Sequence, residues 1–383
     1  MNWFQTSWQW LRGQWLRWFG PRHTPPIHVP LPAAVRVASA IPENWPSVVQ
    51  PAPTGSKQAP APRTWRGVTD SAAPASLPEA LSEPKPRPEA APDPLAALRD
   101  PLGLKLDNSL GRPGGQGTVY ALHGFPGFVY KEYRNPITGA HESFDELILA
   151  GQDLAPMLEQ VGVSTVWPLL RCGKGDVVDG YVMPRISDRF KIDIQAPRGV
   201  LEKDATLDHA LLIGSDKAFH PARQVTSIDR LRIVRLVGVF LDALHREDLV
   251  YGDLSLKNMM FARDPVSLLV MDLDGVHRIS TPLILVKDVL HTPDWNDPSA
   301  PGQLPRGFDL DRYRYALLVY RLLVANDVSA SFPTNPDSLV VPTLDGLEEE
   351  SRAALEFLLR RAADSHGEAR PPVTEWLSAL AAV

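Results

Sequence analysis

The chain has a single cysteine, Cys172, in 383 residues, so no intramolecular disulfide can form and its framework fits a reducing, cytoplasmic compartment. Positive charge is not in excess. The 39 Lys and Arg against 45 Asp and Glu leave −6, which argues against a surface dedicated to nucleic acid. No zinc-type Cys/His spacing occurs, and the histidines form no ligand pairs; His245 reads as the end of a helix rather than a catalytic group. The N-terminal twenty residues lack the continuous apolar core and cleavage site of a signal peptide and are too polar to span a bilayer. No internal repeat is evident. Cys172 sits near Gly173 and Gly175 and reads as a buried or bystander thiol in a turn.

Composition divides what is present. Residues 1–20 carry five of the ten tryptophans and no acidic side chain. On a helix Phe4, Trp8, Leu11, Trp15, Trp18 and Phe19 share one face, with Thr6, Gln14 and Arg17 opposite, a pattern that suits either a membrane interface or the groove of a partner protein. Residues 21–100 hold eighteen prolines and too little apolar surface to offset ordering, so a disordered, partly extended tether is expected; its Ser71, Ser76 and Ser82 are candidate acceptors for modification in cis. Residues 101–383 suffice for one catalytic domain and leave no room for a second. The stretch 187–224 reads as an insertion.

The chemistry-bearing stretch is Tyr251-Gly252-Asp253-Leu254-Ser255-Leu256-Lys257-Asn258, followed after strand-like Leu268-Leu269-Val270-Met271 by Asp272-Leu273-Asp274. Phosphoryl transfer needs a carboxylate beside the acceptor hydroxyl and oxygen ligands for Mg²⁺, and an Asp-x₄-Asn with a later Asp supplies that set. An apolar helical run, Ile233 to Leu244, precedes the loop. Upstream, Gly111-Arg112-Pro113-Gly114-Gly115-Gln116-Gly117-Thr118-Val119-Tyr120 leads to Phe128-Val129-Tyr130-Lys131. Glycines let backbone N–H groups approach phosphate oxygens, and a lysine from the next strand neutralises their charge.

In these motifs the chain resembles the eukaryotic-like protein kinases, most closely a bacterial branch of the Ser/Thr family, over roughly residues 105–383. The resemblance implies an α+β, two-lobed kinase-like fold, with an N-lobe and hinge over 101–186 and a C-lobe over 187–383. It makes Gly114, Gly117 and Val119 the glycine-rich loop and Lys131 the ATP-anchoring lysine. Asp253 matches the catalytic aspartate, and Asn258 and Asp272 the ligands of Mg²⁺ or Mn²⁺. Tyr181-Val182-Met183-Pro184-Arg185-Ile186 resembles the adenine-holding strand and hinge, with Met183 near the gatekeeper. Asp311-Arg312-Tyr313 resembles the start of a helix whose Asp braces the catalytic loop, and Arg370-Pro371-Pro372 a closing motif built on arginine.

The chain departs from that pattern in several places. Tyr251-Gly252-Asp253 replaces His-Arg-Asp, so the arginine that would pair with a phosphorylated activation loop is absent and phosphorylation between residues 275 and 300 is not expected to be the main switch. Ser255 stands where a γ-phosphate-contacting lysine is usual, and Lys257 is expected to deliver that charge. Arg112 falls where the first loop glycine belongs. Asp-Leu-Asp replaces Asp-Phe-Gly; Asp274 either adds a carboxylate near the metal or caps the following turn, and the cap is preferred. The partner of Lys131 is sought among Glu142 and Glu146, four residues apart on one helix face; Glu146, deeper in the run, is preferred. The expectation is an ATP-dependent Ser/Thr protein kinase acting on a protein substrate, with autophosphorylation included. A pseudokinase scaffold comes second and a small-molecule phosphotransferase third.

Overall fold

The structure is a computed structural model and describes residues 104–111, 114–196, 199–211, 225–279, 293–298, 307–365 and 369–383. The Trp-rich segment 1–20, the Pro-rich stretch 21–100, Arg112, every Ser and Thr between 275 and 300, and residues 212–224 of the expected insertion lie outside the described residues.

Strands β1 (Leu106–Ser109), β2 (Gly117–Leu122) and β3 (Phe128–Thr138) form a meander, followed by helix α1 (His141–Gln160), β4 (Val163–Thr165), β5 (Leu170–Cys172) and β6 (Val177–Pro184). Five of the strands make one antiparallel sheet in the order β1-β2-β3-β6-β5. Along β3 successive side chains leave on opposite faces. Tyr130 joins Leu122, Cys172 and Val182 on one face, whereas Tyr133 joins Tyr181, Val178 and the helix residue Phe144 on the other. Cys172, at the end of β5, is buried, and burial pushes its thiol up to about 11, so it is inert at neutral pH.

Helix α1 buries Phe144, Leu147, Gly151, Leu154, Ala155 and Leu158, a stripe at the 3.6 period. Glu142 and Glu146 lie two residues from Phe144, about 200° around the helix. That rotation decides their fate below.

The second half is helical with short ribbons. A hairpin, β7 (Lys191–Ala196) and β8 (Gly199–Asp204), occupies part of the stretch expected to be an insertion. Helix α2 (Ser227–Arg246) starts on a capping box in which Thr226 and Asp229 bond each other's backbone N–H groups. It buries Ile233, Val234, Val237, Phe240, Leu241 and Leu244, the run expected to be helical. Then come β9 (Leu249–Val250), β10 (Met259–Arg263), β11 (Val266–Val270) and β12 (His277–Arg278). Helix α3 (Phe308–Val319) runs on as a π-helical segment, Tyr320–Ala325, and α4 (Glu349–Asp364) and α5 (Val373–Ala379) close the chain. The fold is thus mixed α+β, with a sheet-rich first part and a helical C-terminal part. Among the described residues no helix is long and apolar enough to cross a membrane.

Pairing of the short ribbons sets the site. Strand β10 pairs antiparallel with β11, and β4, emerging from α1, adds in parallel on the far side of β11. Strand β12 folds back antiparallel to β9. The loop 251–258 leaves β9 and enters β10, while 271–276 leaves β11 and enters β12, so both segments are pinned at both ends and lie side by side.

Candidate active site

Lys131 comes from the middle of β3, opposite Val119 on β2 and Tyr181 on β6, so these three side chains share one face of the sheet. Its Nζ lies 3.0 and 3.1 Å from the two carboxylate oxygens of Asp274, 3.1 Å from Asp272 Oδ1 and 3.4 Å from Gln116 Oε1 in the glycine-rich turn. The aromatic rings of Tyr181 and Tyr133 lie 5.6 and 6.0 Å away. Burial alone would pull the ammonium down, but the Asp274 and Asp272 carboxylates outweigh it and hold Lys131 above the ordinary lysine value.

Asp274 is buried, and Tyr133 donates its hydroxyl to it at 2.8 Å. Burial opposes its charge, yet the Lys131 ammonium and the Tyr133 hydroxyl leave its carboxyl below the ordinary value. The preference for Asp274 as a turn cap is therefore corrected: its carboxylate is committed to Lys131. The expected partner is corrected with it. Glu146 is 60% exposed and, among the described residues, reaches only Arg278, at 4.0 Å, and Glu142 is 88% exposed beside His141. The face of α1 turned to the sheet carries Phe144 and Ile148 instead.

Asp272 is 48% exposed and adopts left-handed backbone geometry, φ 49° and ψ 52°, at the head of a single 3-10 turn, Leu273–Gly275. A non-glycine residue tolerates that region at a cost, and Asp is among the few that do so. The buried side chain of Leu273 anchors the turn.

Asp253 and Asn258 face each other across the loop. The Asn258 amide donates to Asp253 Oδ2 at 2.7 Å and to the Asp253 carbonyl at 2.8 Å, which leaves Asn258 Oδ1 without an internal donor among the described residues. Burial is the largest cause that raises the Asp253 carboxyl to about 6, and the charges of Asp272 and Asp274 add to it; Arg314 and the Asn258 amide pull the other way. Ser255 is buried, whereas Lys257 is exposed and bonds to no described residue.

The loop backbone is held from α3. Asp311 accepts from the N–H groups of Tyr251 (2.8 Å) and Gly252 (2.9 Å), and His245, in the last turn of α2, contacts the same carboxylate at 3.1 Å. One helical turn on, buried Arg314 donates to the Gly252 carbonyl (2.6 Å), the Trp295 carbonyl and Asn296 Oδ1 (both 3.2 Å), and sits 3.5 Å from Asp253 Oδ1. Gly252 has φ 77°, which a glycine adopts without strain. Two bonds join the loop to the neighbouring segment: the Tyr251 hydroxyl donates to the Met271 carbonyl at 2.8 Å, and Met271 N–H donates to the Asn258 carbonyl at 2.9 Å. Arg370, buried in the closing motif, pairs with Asp309 at 2.7 Å and with Asp297.

In the glycine-rich turn, Gly114 N–H donates to the Gly117 carbonyl at 2.8 Å. A Cβ on Gly117 would lie 1.9 Å from the Glu132 carbonyl, so this glycine is demanded by the close approach of β2 to β3. Met183, opposite Val129, packs between the Tyr133/Phe144 cluster and a second one formed by Val166, Phe190, Met260 and Leu269.

Of the expected residues, Lys131 and Asp272 are brought together, and Asp253 and Asn258 are brought together on the neighbouring loop; Glu146 stands apart. Sequence reasoning missed the pairing of Asp274, whose clue was a second carboxylate two residues after the first. It also missed Arg314, three residues from Asp311 and so on the same helix face.

The donors present are hard oxygens, an amide Oδ1 and a half-exposed carboxylate, which fit Mg²⁺ or Mn²⁺ rather than a soft metal. Among the described residues no group of three or more His, Cys, Asp and Glu forms a cluster able to hold a metal. No model of a known protein family matches the chain, and no curated protein matches it.

Proposed function

We propose that the chain is an ATP- and Mg²⁺-dependent protein kinase, Mn²⁺ serving in place of Mg²⁺, that transfers the γ-phosphate to Ser and Thr hydroxyls of proteins, its own included. The observation that carries this reading is the meeting of Lys131 with Asp272, 141 residues later, beside a loop in which Asp253 and Asn258 face each other. A strand lysine, a half-exposed carboxylate at the end of another strand, and an Asp-x₄-Asn loop are the parts that phosphoryl transfer uses.

Asp253 accepts the acceptor hydroxyl's proton, or orients that hydroxyl, and a carboxyl near 6 is ionised at neutral pH yet more basic than an ordinary aspartate. Asn258 and Asp272 would hold the metal, which would supply positive charge to offset that of the nucleotide's phosphates. Lys131 would set its ammonium against the nucleotide's phosphates, beside the Gly114–Gly117 turn, whose Gln116 Oε1 lies 3.4 Å from its Nζ. Val119 and Met183 line the apolar side, where an adenine ring would sit. Exposed Lys257 is the nearest candidate in the loop for a cation toward the γ-phosphate.

A pseudokinase is the second reading, favoured by one observation: Lys131 is already engaged by two carboxylates, so phosphates must compete for it. Incubating the full chain with labelled ATP, Mg²⁺ or Mn²⁺ and a mixture of candidate proteins, with mass spectrometry to locate phosphate, tests the proposal. Phosphoserine or phosphothreonine on protein is expected. ATP consumed only with small-molecule acceptors would move the chain to the small-molecule phosphotransferases, and the absence of both transfer and nucleotide binding would make it a scaffold.

A further inference from the structure

We infer that Asp274, and no glutamate of helix α1, is the anion that positions Lys131 for the nucleotide, so that the lysine and Asp272 are set by one short turn without any movement of the helix. This rests on the kinase reading proposed above.

The geometry is specific. Both oxygens of Asp274 lie at hydrogen-bond distance from Lys131 Nζ, and both side chains are buried. Asp274 is itself held by the Tyr133 hydroxyl from the strand that carries Lys131, so the pair is fixed from both sides. Its backbone belongs to the 3-10 turn that Asp272 begins, and that turn is anchored by buried Leu273 and Val276 before β12 pairs with β9.

Helix α1 has no means of supplying the charge. Phe144, fully buried, stacks at 5.4 Å from the Tyr181 ring that flanks Lys131, and Ile148 packs one turn further on. Bringing Glu146 to Lys131 would require rotating the helix by about half a turn, exposing Phe144 and burying a carboxylate in its place.

The two carboxylates on Lys131 differ in a way that suits different tasks. Asp272 is about half exposed and can leave Lys131 for a cation; Asp274 is buried and stays. A buried ammonium left alone is strongly unfavourable, so the second carboxylate lets the first one turn to the metal while Lys131 remains paired and in place. Lys131 is then positioned in the nucleotide-free chain as well as in the loaded one. Asp274 is a positioning residue: it acts through Lys131.

The test has two arms on the full chain. Denaturation midpoints of Lys131→Met, Asp274→Asn and the double variant, without nucleotide, form a double-mutant cycle, repeated with Glu146→Gln in place of Asp274→Asn. The double Lys131→Met/Asp274→Asn variant is expected to be no less stable than either single one, and the Glu146 cycle to be additive. In steady-state transfer, Asp274→Asn is expected to raise KM for ATP about tenfold or more with a smaller fall in kcat, while Glu142→Gln/Glu146→Gln leaves both within about twofold. An additive Asp274 cycle, a wild-type KM in Asp274→Asn, or a loss of ATP affinity in the glutamate variant would overturn the inference. A wild-type chain that neither binds nor uses ATP would remove the kinase reading and this inference with it, and a coupled cycle in such a chain would show that the pair exists for stability alone.

Discussion

Asp253 carries a conflict between stability and chemistry. Its folded-state value of about 6 lies above the ordinary 3.8, so the folded chain holds this proton more tightly than the unfolded one between those values, and ionising Asp253 as pH rises through about 6 costs stability. At neutral pH the ionised form is therefore a strain that the proposed transfer requires. Asp253→Asn is expected to keep or raise the melting temperature at pH 7.5 while lowering the transfer rate by about 10²–10⁴. Wild-type rate against pH should fall on the acid side with a midpoint near 6. Arg314 pulls Asp253 downward, so Arg314→Ala should move that midpoint to higher pH. It should also destabilise by about 2–4 kcal/mol, because the buried Trp295 carbonyl and the part-buried Gly252 carbonyl lose their donor. An unmoved midpoint would separate Arg314 from the proton chemistry.

The elements explain which parts of the site were legible in the sequence. Strand β11 with Asp272 just beyond it, helix α2 ahead of the loop, and strand β3 with its lysine all carry local signals: alternation, an apolar 3.6-period stripe, polar breaks. The pairing of Lys131 does not, because Asp274 lies 143 residues away and an Asp in a turn has an ordinary local use. Glu142 and Glu146 could not be told apart by spacing, but the same helix announced that neither points inward: 144, 147, 151, 154, 155 and 158 form the apolar stripe, and the glutamates are outside it. Phe144→Ala is accordingly expected to destabilise by about 3–5 kcal/mol, and Glu146→Gln to stay within about 0.5 kcal/mol. Comparable losses in chemical denaturation would mean that the helix presents a different face.

At the scale of the whole molecule, long-range ion pairs and side-chain-to-backbone hydrogen bonds organise the described residues. Lys131 joins the first sheet to the turn after β11, Asp311 and Arg314 join α3 to the loop, and Arg370 joins the C-terminal region to Asp309 and Asp297. Arg314 and Arg370 converge on the segment 293–298, which carries Trp295, Asn296 and Asp297. Arg370→Met is expected to cost about 1.5–3 kcal/mol by removing the charged donor that the part-buried Asp297 and Asp309 carboxylates share, and to lower activity through that shared segment. A variant with an unchanged melting temperature would contradict this role. Asp274 adds a pH limit of opposite sign to that of Asp253. Its lowered value means that its contribution is present above the ordinary 3.8 and is lost as pH falls through the still lower folded value.

The most direct test of the account is the rate of phosphate transfer from labelled ATP in the presence of Mg²⁺, measured side by side for the wild-type chain, Asp253→Ala and Asp272→Ala, each shown to be folded. The account predicts transfer by the wild type and a loss of about 10²-fold or more in each variant. Transfer at the wild-type rate in either folded variant would contradict it.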